Sequence, residues 1–278
     1  MREHWRRGIA GFALLGVLGA CGTLSVQDEK RLGHRVQRQV REQFQLLREP
    51  VVVQYVREVG ARVAAAAQSS AFEFRFYVIE DESINAFAIP GGAVYVHTGL
   101  ITSAHNEAEL AGVLAHEIGH VTARHVAKLY KRQRNTGLLA QIVAVAIAIV
   151  SGNSYIAQGG ALATDVAATA YLNTYTQDAE READQLAVDT LIRAGYDPRA
   201  LITMFQTLQA EVGSGVPLPQ ILKSHPATAE RIRNVQYLIR QHEPLPQDLR
   251  TDSRKLPIIQ ERIKLIVGMD VDGTLEPE

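Results

Sequence analysis

The chain has 278 residues, with 29 Lys and Arg residues against 30 Asp and Glu residues, and one cysteine. The length is ample for a buried core. A charged fraction of 21% and a net charge of −1 argue against a disordered chain and against a nucleic-acid binder held by bulk positive charge. A single cysteine forms no internal disulfide and excludes a zinc module built from several cysteines. No apolar run reaches the roughly 18 residues that a membrane-spanning helix needs.

The N-terminus has the layout of a secretory signal, with three arginines followed by the apolar stretch 9–20. Cys21 comes directly after Leu18-Gly19-Ala20, which resembles the lipobox of bacterial lipoproteins. The alternative is an ordinary signal peptide with a chance cysteine. We expect residues 1–20 to be removed and the chain to be attached to the outer membrane, facing the periplasm, by acyl chains on Cys21. The remaining chain is mildly acidic, so acyl chains rather than basic attraction are the expected anchor.

The rest of the chain shows helical and strand patterns in turn. We predict helices over 26–48, 50–67, 106–132, 178–194, from 198 onward and over 226–240, and strands over 72–79 and 93–96. Asn106 is the expected N-cap of the third helix, and Gly195 is a stop signal for the fourth. Residues 255–267 fit either a strand or a short helix. These elements predict an α+β fold, mainly helical, with a small β-sheet and one helix that carries the active site.

The domain organisation follows from the absence of repeats and linkers in the sequence. We expect one domain over 21–278, with a core over about 30–240 and a C-terminal extension from about 243. The apolar run 138–150 has two interpretations: it is a buried core helix, or it touches lipid or covers the active site.

The segment with the clearest chemistry is Leu114 to Val121, which contains a His-Glu-x-x-His pattern. His116 and His120 are four residues apart, so on a helix they lie about 40° apart and can bind one zinc ion together. Glu117 lies about 100° round from His116 and is placed to take a proton from an attacking water rather than to bind the metal. The pattern fixes only three residues, so a chance match is the alternative.

A catalytic zinc needs a third protein ligand and one open position. Glu180 and Asp184 are four residues apart on a predicted helix, which suggests Glu180 on the metal and Asp184 behind a ligating histidine. Glu182 falls about 200° from Glu180 and is expected to face away. An acidic helix start is the plainer interpretation of this cluster. His125 lies about 180° from His116 on a straight helix, so we leave it outside the metal shell.

Three separated motifs together resemble the HtpX and CAAX-prenyl-endopeptidase family of zinc metalloproteases. They are HEIGHVTARH over 116–125, the Glu180-x-Glu182-Ala183-Asp184 motif, and NAFAIPGGAVYVHTGLI over 85–101. The resemblance covers roughly residues 30–240, is strongest to an exported bacterial branch, and implies a zincin-like (gluzincin) metalloprotease fold. Unlike the membrane-embedded members, the chain lacks predicted transmembrane helices, so CAAX processing is not implied.

The resemblance implies one Zn²⁺ per chain, with ligands at His116, His120 and Glu180 and the catalytic base at Glu117. It also implies an edge strand that pairs with a substrate peptide through its main chain. That strand would consist of Ala93, Val94, Tyr95 and Val96. The plainer interpretation is core structure, and both interpretations can hold.

A late motif, Ser224-His225-Pro226 with Arg231, also matches the family pattern. By this resemblance His225 lies near the zinc, where it steadies the oxyanion or caps the metal in a resting state, and Arg231 supports it. From the residues alone, His225 is a loop histidine before a helix.

The expected function is a zinc endopeptidase of the bacterial cell envelope that degrades misfolded or stalled envelope proteins, with no nucleic-acid partner. One alternative is a chaperone-like outer-membrane assembly factor in which proteolysis is secondary or latent. Another is a structural lipoprotein whose zinc has a closed shell of four ligands that includes His225.

Overall fold

The computed structural model of the protein describes residues 24–69, 71–133, 177–212 and 219–268. Within these residues the helices are α1 (Val26–Gln43), α2 (Pro50–Ala66), α3 (Thr98–Ser103), α4 (Glu107–Thr122), α5 (His125–Gln133), α6 (Gln177–Arg193), α7 (Ala200–Ala210), α8 (Ile221–Ser224), α9 (Ala229–Arg240) and α10 (Lys255–Val267). The strands are β1 (Arg75–Ile79), β2 (Ala86–Ile89) and β3 (Ala93–His97). The predicted fold class, α+β and mainly helical with a small sheet, is confirmed.

Two of the expected features fall outside the described residues: the signal peptide with Cys21, and the apolar run 138–150. Among the helices that the structure describes, none combines the length and the apolar character needed to cross a membrane.

The small sheet has the strand order β1-β3-β2, with β3 parallel to β1 and antiparallel to β2. All five residues of β3 are buried. The expectation that Ala93–Val96 forms an edge strand for substrate is therefore wrong, because β3 already pairs on both sides. Among the described strands, the free edge beside the candidate site belongs to β2, whose Ala88 N–H donates to a carboxylate of α4.

The two faces of the sheet pack against different helices, because alternate residues of a strand point to opposite sides. One face, which includes Val94 and Val96, joins the main core with α2 and α4. The other face, which includes Phe87 and Tyr95, is covered by the apolar side of α1. Gly33 allows this close approach, because a Cβ atom there would lie 1.8 Å from the carbonyl oxygen of Pro90.

Helix α4 runs through the middle of the core and begins where the sequence predicts. Its N-cap is Asn106, whose side chain accepts a hydrogen bond from Glu109 N at 3.0 Å. The helix ends at Thr122, ten residues earlier than expected. Arg124 adopts a left-handed backbone with φ of 56°, so a second helix, α5, starts in a new direction at His125. The prediction of one continuous helix to residue 132 is therefore wrong.

The C-terminal stretch 255–267 is the helix α10, and it packs against α2 as part of the main core. Leu256, Ile259 and Ile263 are buried at helical spacing. Glu49, the N-cap of α2, accepts hydrogen bonds from Val52 N at 2.7 Å and from Arg262 of α10 at 2.6 Å. Partial burial would raise the pKa of Glu49, but these hydrogen bonds outweigh burial and hold its pKa below the ordinary value. The carboxylate therefore joins the two helices.

Candidate metal centre

Four buried side chains from three parts of the chain converge at the middle of α4. They are His116 and His120 of α4, Glu180 of α6 and His225 in the turn after α8. One nitrogen or oxygen of each lies within 4.8 Å of the others. The two α4 imidazoles approach to 3.0 Å between their Nε2 atoms, and Glu180 Oε1 lies 3.3 Å from His120 Nε2 and 2.9 Å from His225 Nδ1.

Three of the five separations between these groups fit a tetrahedral metal ion, and the other two, of 3.0 and 2.9 Å, are slightly shorter. Zinc binds histidine nitrogen and carboxylate oxygen at about 2.0–2.2 Å, which places two tetrahedral ligands about 3.3–3.5 Å apart. His116 Nε2 is 3.4 Å from Glu180 Oε2 and 3.3 Å from His225 Nδ1. Glu180 Oε2 and Glu117 Oε1 are among the buried oxygens of the described residues that accept no hydrogen bond, so they can accept a cation and a proton. The donor set is the nitrogen-and-oxygen type that zinc accepts.

A buried ion pair supports His116 from behind. Asp184 Oδ1 lies 3.0 Å from His116 Nδ1, the nitrogen that faces away from the cluster. Arg231 donates two hydrogen bonds to the same carboxylate, of 2.7 and 2.9 Å. Its Nη1 also forms an ion pair with Glu180 Oε2 at 2.8 Å, without hydrogen-bond geometry. The expected support of His225 by Arg231 is indirect: the guanidinium contacts Asp184 and Glu180, and it donates a 3.1 Å hydrogen bond to the carbonyl of Pro226, the residue after His225.

The electrostatics of the cluster keep two of the four converging groups in the protonation state that a metal ion requires. Burial lowers the pKa of His120 well below its ordinary value, so its ring is neutral. Burial would raise the pKa of Glu180, but the neighbouring histidines outweigh it and hold the pKa well below the usual range. For His116, burial is outweighed by hydrogen bonds to Asp184 and Glu180, which raise its pKa to about 9. A cation between these side chains would take the place of the proton on His116.

Glu117 lies beside the cluster and faces the sheet. It is buried, and its Oε2 accepts a hydrogen bond from Ala88 N at 3.0 Å. Its other oxygen, Oε1, is 3.5 Å from His225 Nε2. The carboxylate thus sits between the free edge of β2 and the four converging groups, as the angular offset from His116 predicts.

His125, which straight-helix geometry places outside the metal shell, is not one of the four converging groups. It does not point away from the site, however, because the break at Arg124 turns it back towards α4. His125 Nδ1 lies 2.8 Å from Nδ1 of His120, and its Nε2 is 3.0 Å from Glu182 Oε2. Glu182 is exposed and bonded to Lys128. The sequence contains no glycine or proline that signals this break, so the support of His120 could not be predicted.

Comparison with known proteins places these residues in a family. The model of peptidase family M48 matches residues 50–239. The chain is 33% identical over 260 residues to a beta-barrel assembly-enhancing protease of Yersinia pestis. The aligned region covers 93% of this chain and 53% of that protein. It is 34% identical over 227 residues to the protein of the same name from Escherichia coli K12, covering 81% and 47%.

A more distant similarity is to the mitochondrial metalloendopeptidase OMA1 of Schizosaccharomyces pombe, which is 29% identical over 182 residues, or 66% of this chain and 51% of that protein. The chain spans about half the length of the curated relatives that it matches. The family match covers the converging residues of α4, α6 and the turn after α8, and it confirms the resemblance seen in the motifs. The chain therefore belongs to peptidase family M48, a family of metalloproteases.

Proposed function

We propose that this chain is a zinc-dependent endopeptidase of the bacterial cell envelope. The observation that carries the proposal is the buried convergence of His116, His120, Glu180 and His225, with Glu117 at its side, in a member of family M48. The names of the bacterial and mitochondrial relatives, which describe proteases and metalloendopeptidases, agree with it.

In this proposal His116, His120 and Glu180 hold one zinc ion. When bound, zinc supplies Lewis acidity that polarises the scissile carbonyl and makes a water acidic enough to attack it at neutral pH. Glu117 takes the proton of the attacking water and delivers it to the leaving amine. The uncompensated Oε1 of Glu117 is the oxygen available for that proton.

Asp184 accepts a hydrogen bond from His116 Nδ1 and so fixes the tautomer in which Nε2 is free to bind the metal. Arg231 keeps Asp184 ionised, because burial would raise the pKa of this carboxyl but the bonds to Arg231 and His116 hold it below the ordinary value. His225, whose Nδ1 lies 3.3 Å from His116 Nε2, would be a fourth ligand of a bound metal ion in the resting protein. A permanently closed shell would make the zinc structural, so turnover requires His225 to yield this position to substrate.

The substrate strand of the proposal is β2 rather than β3. Ala88 N–H points away from β3 and towards Glu117, so the outer edge of β2 runs directly beside the site. A peptide that adds to this edge by main-chain pairing brings its carbonyl groups past Glu117 with little demand on sequence. Such binding suits unfolded chains.

We further propose that Cys21 carries acyl chains and that the protein is an outer-membrane lipoprotein facing the periplasm. The lipobox-like sequence before Cys21 supports this location. Misfolded or stalled envelope proteins are the proposed substrates. We propose one domain over 21–278, and the packing of α10 into the main core supports its inclusion.

Metal analysis tests the site. Wild-type protein is expected to hold one zinc per chain and to cleave casein, with activity lost on chelation and restored by zinc. His116→Ala is expected to lose both metal and activity, while His242→Ala, a surface histidine outside the cluster, keeps both. Stoichiometric zinc in His116→Ala, or cleavage that survives complete zinc removal, would rule out the proposal.

Fractionation tests the anchor independently of the activity. In bacterial cells, wild-type protein is expected to incorporate labelled fatty acid and to sediment with outer membranes. Cys21→Ala, which removes the only cysteine, should lose the label. Equal labelling of the two proteins would show that the lipidation proposal is wrong and leave the protease proposal standing.

A further inference from the structure

Helix α1 carries a strongly basic face on the side that points away from the sheet. Five exposed cations lie within an arc of about 140° on this helix. They are Lys30, Arg31, Arg35, Arg38 and Arg41. The same arc contains the exposed Glu42, and Asp28 lies at its margin. The five cations and two carboxylates leave a net charge of +3 on one side of a helix in a chain whose overall charge is −1.

Most of this positive charge is not compensated. Arg31 lies 3.6 Å from Asp28, in an exposed pair of little strength. The other four cations form no hydrogen bond or ion pair with any part of the chain that the structure describes. The opposite side of α1 is fully engaged, because Leu32, Val36 and Val40 are buried against the sheet. The basic face is therefore a surface that internal packing does not explain.

The start of α1 is fixed to the end of the active-site helix. Arg124 donates a 2.7 Å hydrogen bond to Glu29 and a second to the carbonyl of Leu24. Leu24 is three residues after Cys21, and α1 begins five residues after it, which is at most about 18 Å of extended chain. An acyl anchor on Cys21 would thus hold α1 close to the membrane surface.

We propose that the basic face of α1 docks on an anionic lipid surface and orients the protease on the membrane. The inference rests on the proposed envelope location but not on the proteolytic activity. Acidic headgroups match the charge of the face, and basic residues beside a lipid anchor add electrostatic attraction to the attachment that the acyl chains provide. The overall acidity of the chain does not oppose docking, because the attraction between the basic face and the lipid is local. Salt screens such attraction beyond about 10 Å.

Vesicle sedimentation tests the docking surface with the chain over 21–278 carrying Cys21→Ser, so that neither acyl chains nor the basic, apolar stretch before Cys21 contributes to binding. Vesicles of equimolar phosphatidylcholine and phosphatidylglycerol are compared with pure phosphatidylcholine vesicles at low and high salt. Binding is expected only to the anionic vesicles and only at low salt. Each arginine beside an anionic surface strengthens binding about fivefold, so a triple variant with Arg35→Gln, Arg38→Gln and Arg41→Gln should bind on the order of 100-fold more weakly.

A second triple variant is the matched control, because it removes equal charge from exposed arginines elsewhere. It carries Arg233→Gln, Arg240→Gln and Arg254→Gln and is expected to bind like the parent. Casein cleavage is measured for all three proteins and should be the same, which separates loss of docking from loss of folding or of the protease site. Equal binding by the two triple variants, no binding of the parent to anionic vesicles, or preference for a soluble acidic peptide over the vesicles would overturn the proposal.

Discussion

The ion pair behind the cluster offers a quantitative test through Asp184→Asn. Asp184 is completely buried, and it is joined to Arg231 by two charge-assisted hydrogen bonds and to His116 by a third contact. Removing one partner of a buried pair costs about 3–5 kcal/mol, because the other charge remains uncompensated. Here Glu180 lies 2.8 Å from the guanidinium of Arg231 and offsets part of the lost charge. We therefore expect Asp184→Asn to lower the free energy of unfolding by about 3 kcal/mol.

Unfolding of the metal-free protein in guanidinium chloride measures this loss of stability. The same helix provides a control in Asp189→Asn, since Asp189 pairs with His242 at 2.9 Å but the two side chains are 28% and 40% exposed. Exposed pairs contribute at most about 1 kcal/mol. Chelator competition should also show 10–100-fold weaker zinc binding for Asp184→Asn, because His116 loses its orienting partner. A stability loss below about 1 kcal/mol, equal to that of the control, would refute the reasoning.

Three further variants test the packing, the support of the metal ligands and the pH dependence. Gly33→Ala forces a Cβ into the carbonyl of Pro90 and should reduce stability by about 1–3 kcal/mol, measured by denaturant unfolding. His125→Ala should weaken zinc binding by roughly 10–100-fold in a chelator competition while the fold is retained, because it removes the support of a ligand histidine. Glu49→Gln should lower stability by about 1 kcal/mol at neutral pH. This difference should begin to shrink as the pH falls below the unfolded pKa of about 4.3, and it should be lost as the pH falls through the lower folded pKa of Glu49.

Each of these variants has a control or a contradicting result. Gly112→Ala should be neutral or stabilise by up to about 1 kcal/mol, because its nearest neighbour would lie at an ordinary 3.5 Å. His242→Ala should leave zinc affinity unchanged. Unchanged zinc affinity in His125→Ala, or a stability difference for Glu49→Gln that grows as the pH is lowered from 7, would contradict the roles described.

The converging residues of α4 and α6 could be predicted because each pair lies within one helix. A spacing of four residues places His116 beside His120, and Glu180 beside Asp184, whatever the rest of the fold. The sequence could not bring the two helices together by itself, and the order of the family motifs was needed for that. His225 could be associated with the site only through this resemblance, because it lies in a turn.

The predicted edge position of β3 is wrong because strand order depends on pairing between distant segments. The sequence of β3 is apolar throughout, which fits both an edge strand with one covered face and a central strand. Only the pairing of β3 with both β1 and β2 shows that it is central. In the same way, the turn at Arg124 has no local signal, since arginine is not typical of a left-handed conformation.

The cleavage of casein by Glu117→Gln, measured at full zinc occupancy, tests the central claim most directly. Glu117 contacts the edge of β2 and lies beside the four converging groups without being one of them. The variant is therefore expected to bind one zinc per chain with unchanged affinity and to cleave casein about 10²–10⁴-fold more slowly than wild type. Cleavage at the wild-type rate by the zinc-loaded variant would contradict the assignment of Glu117 as the proton acceptor and, with it, the proposed metalloprotease mechanism.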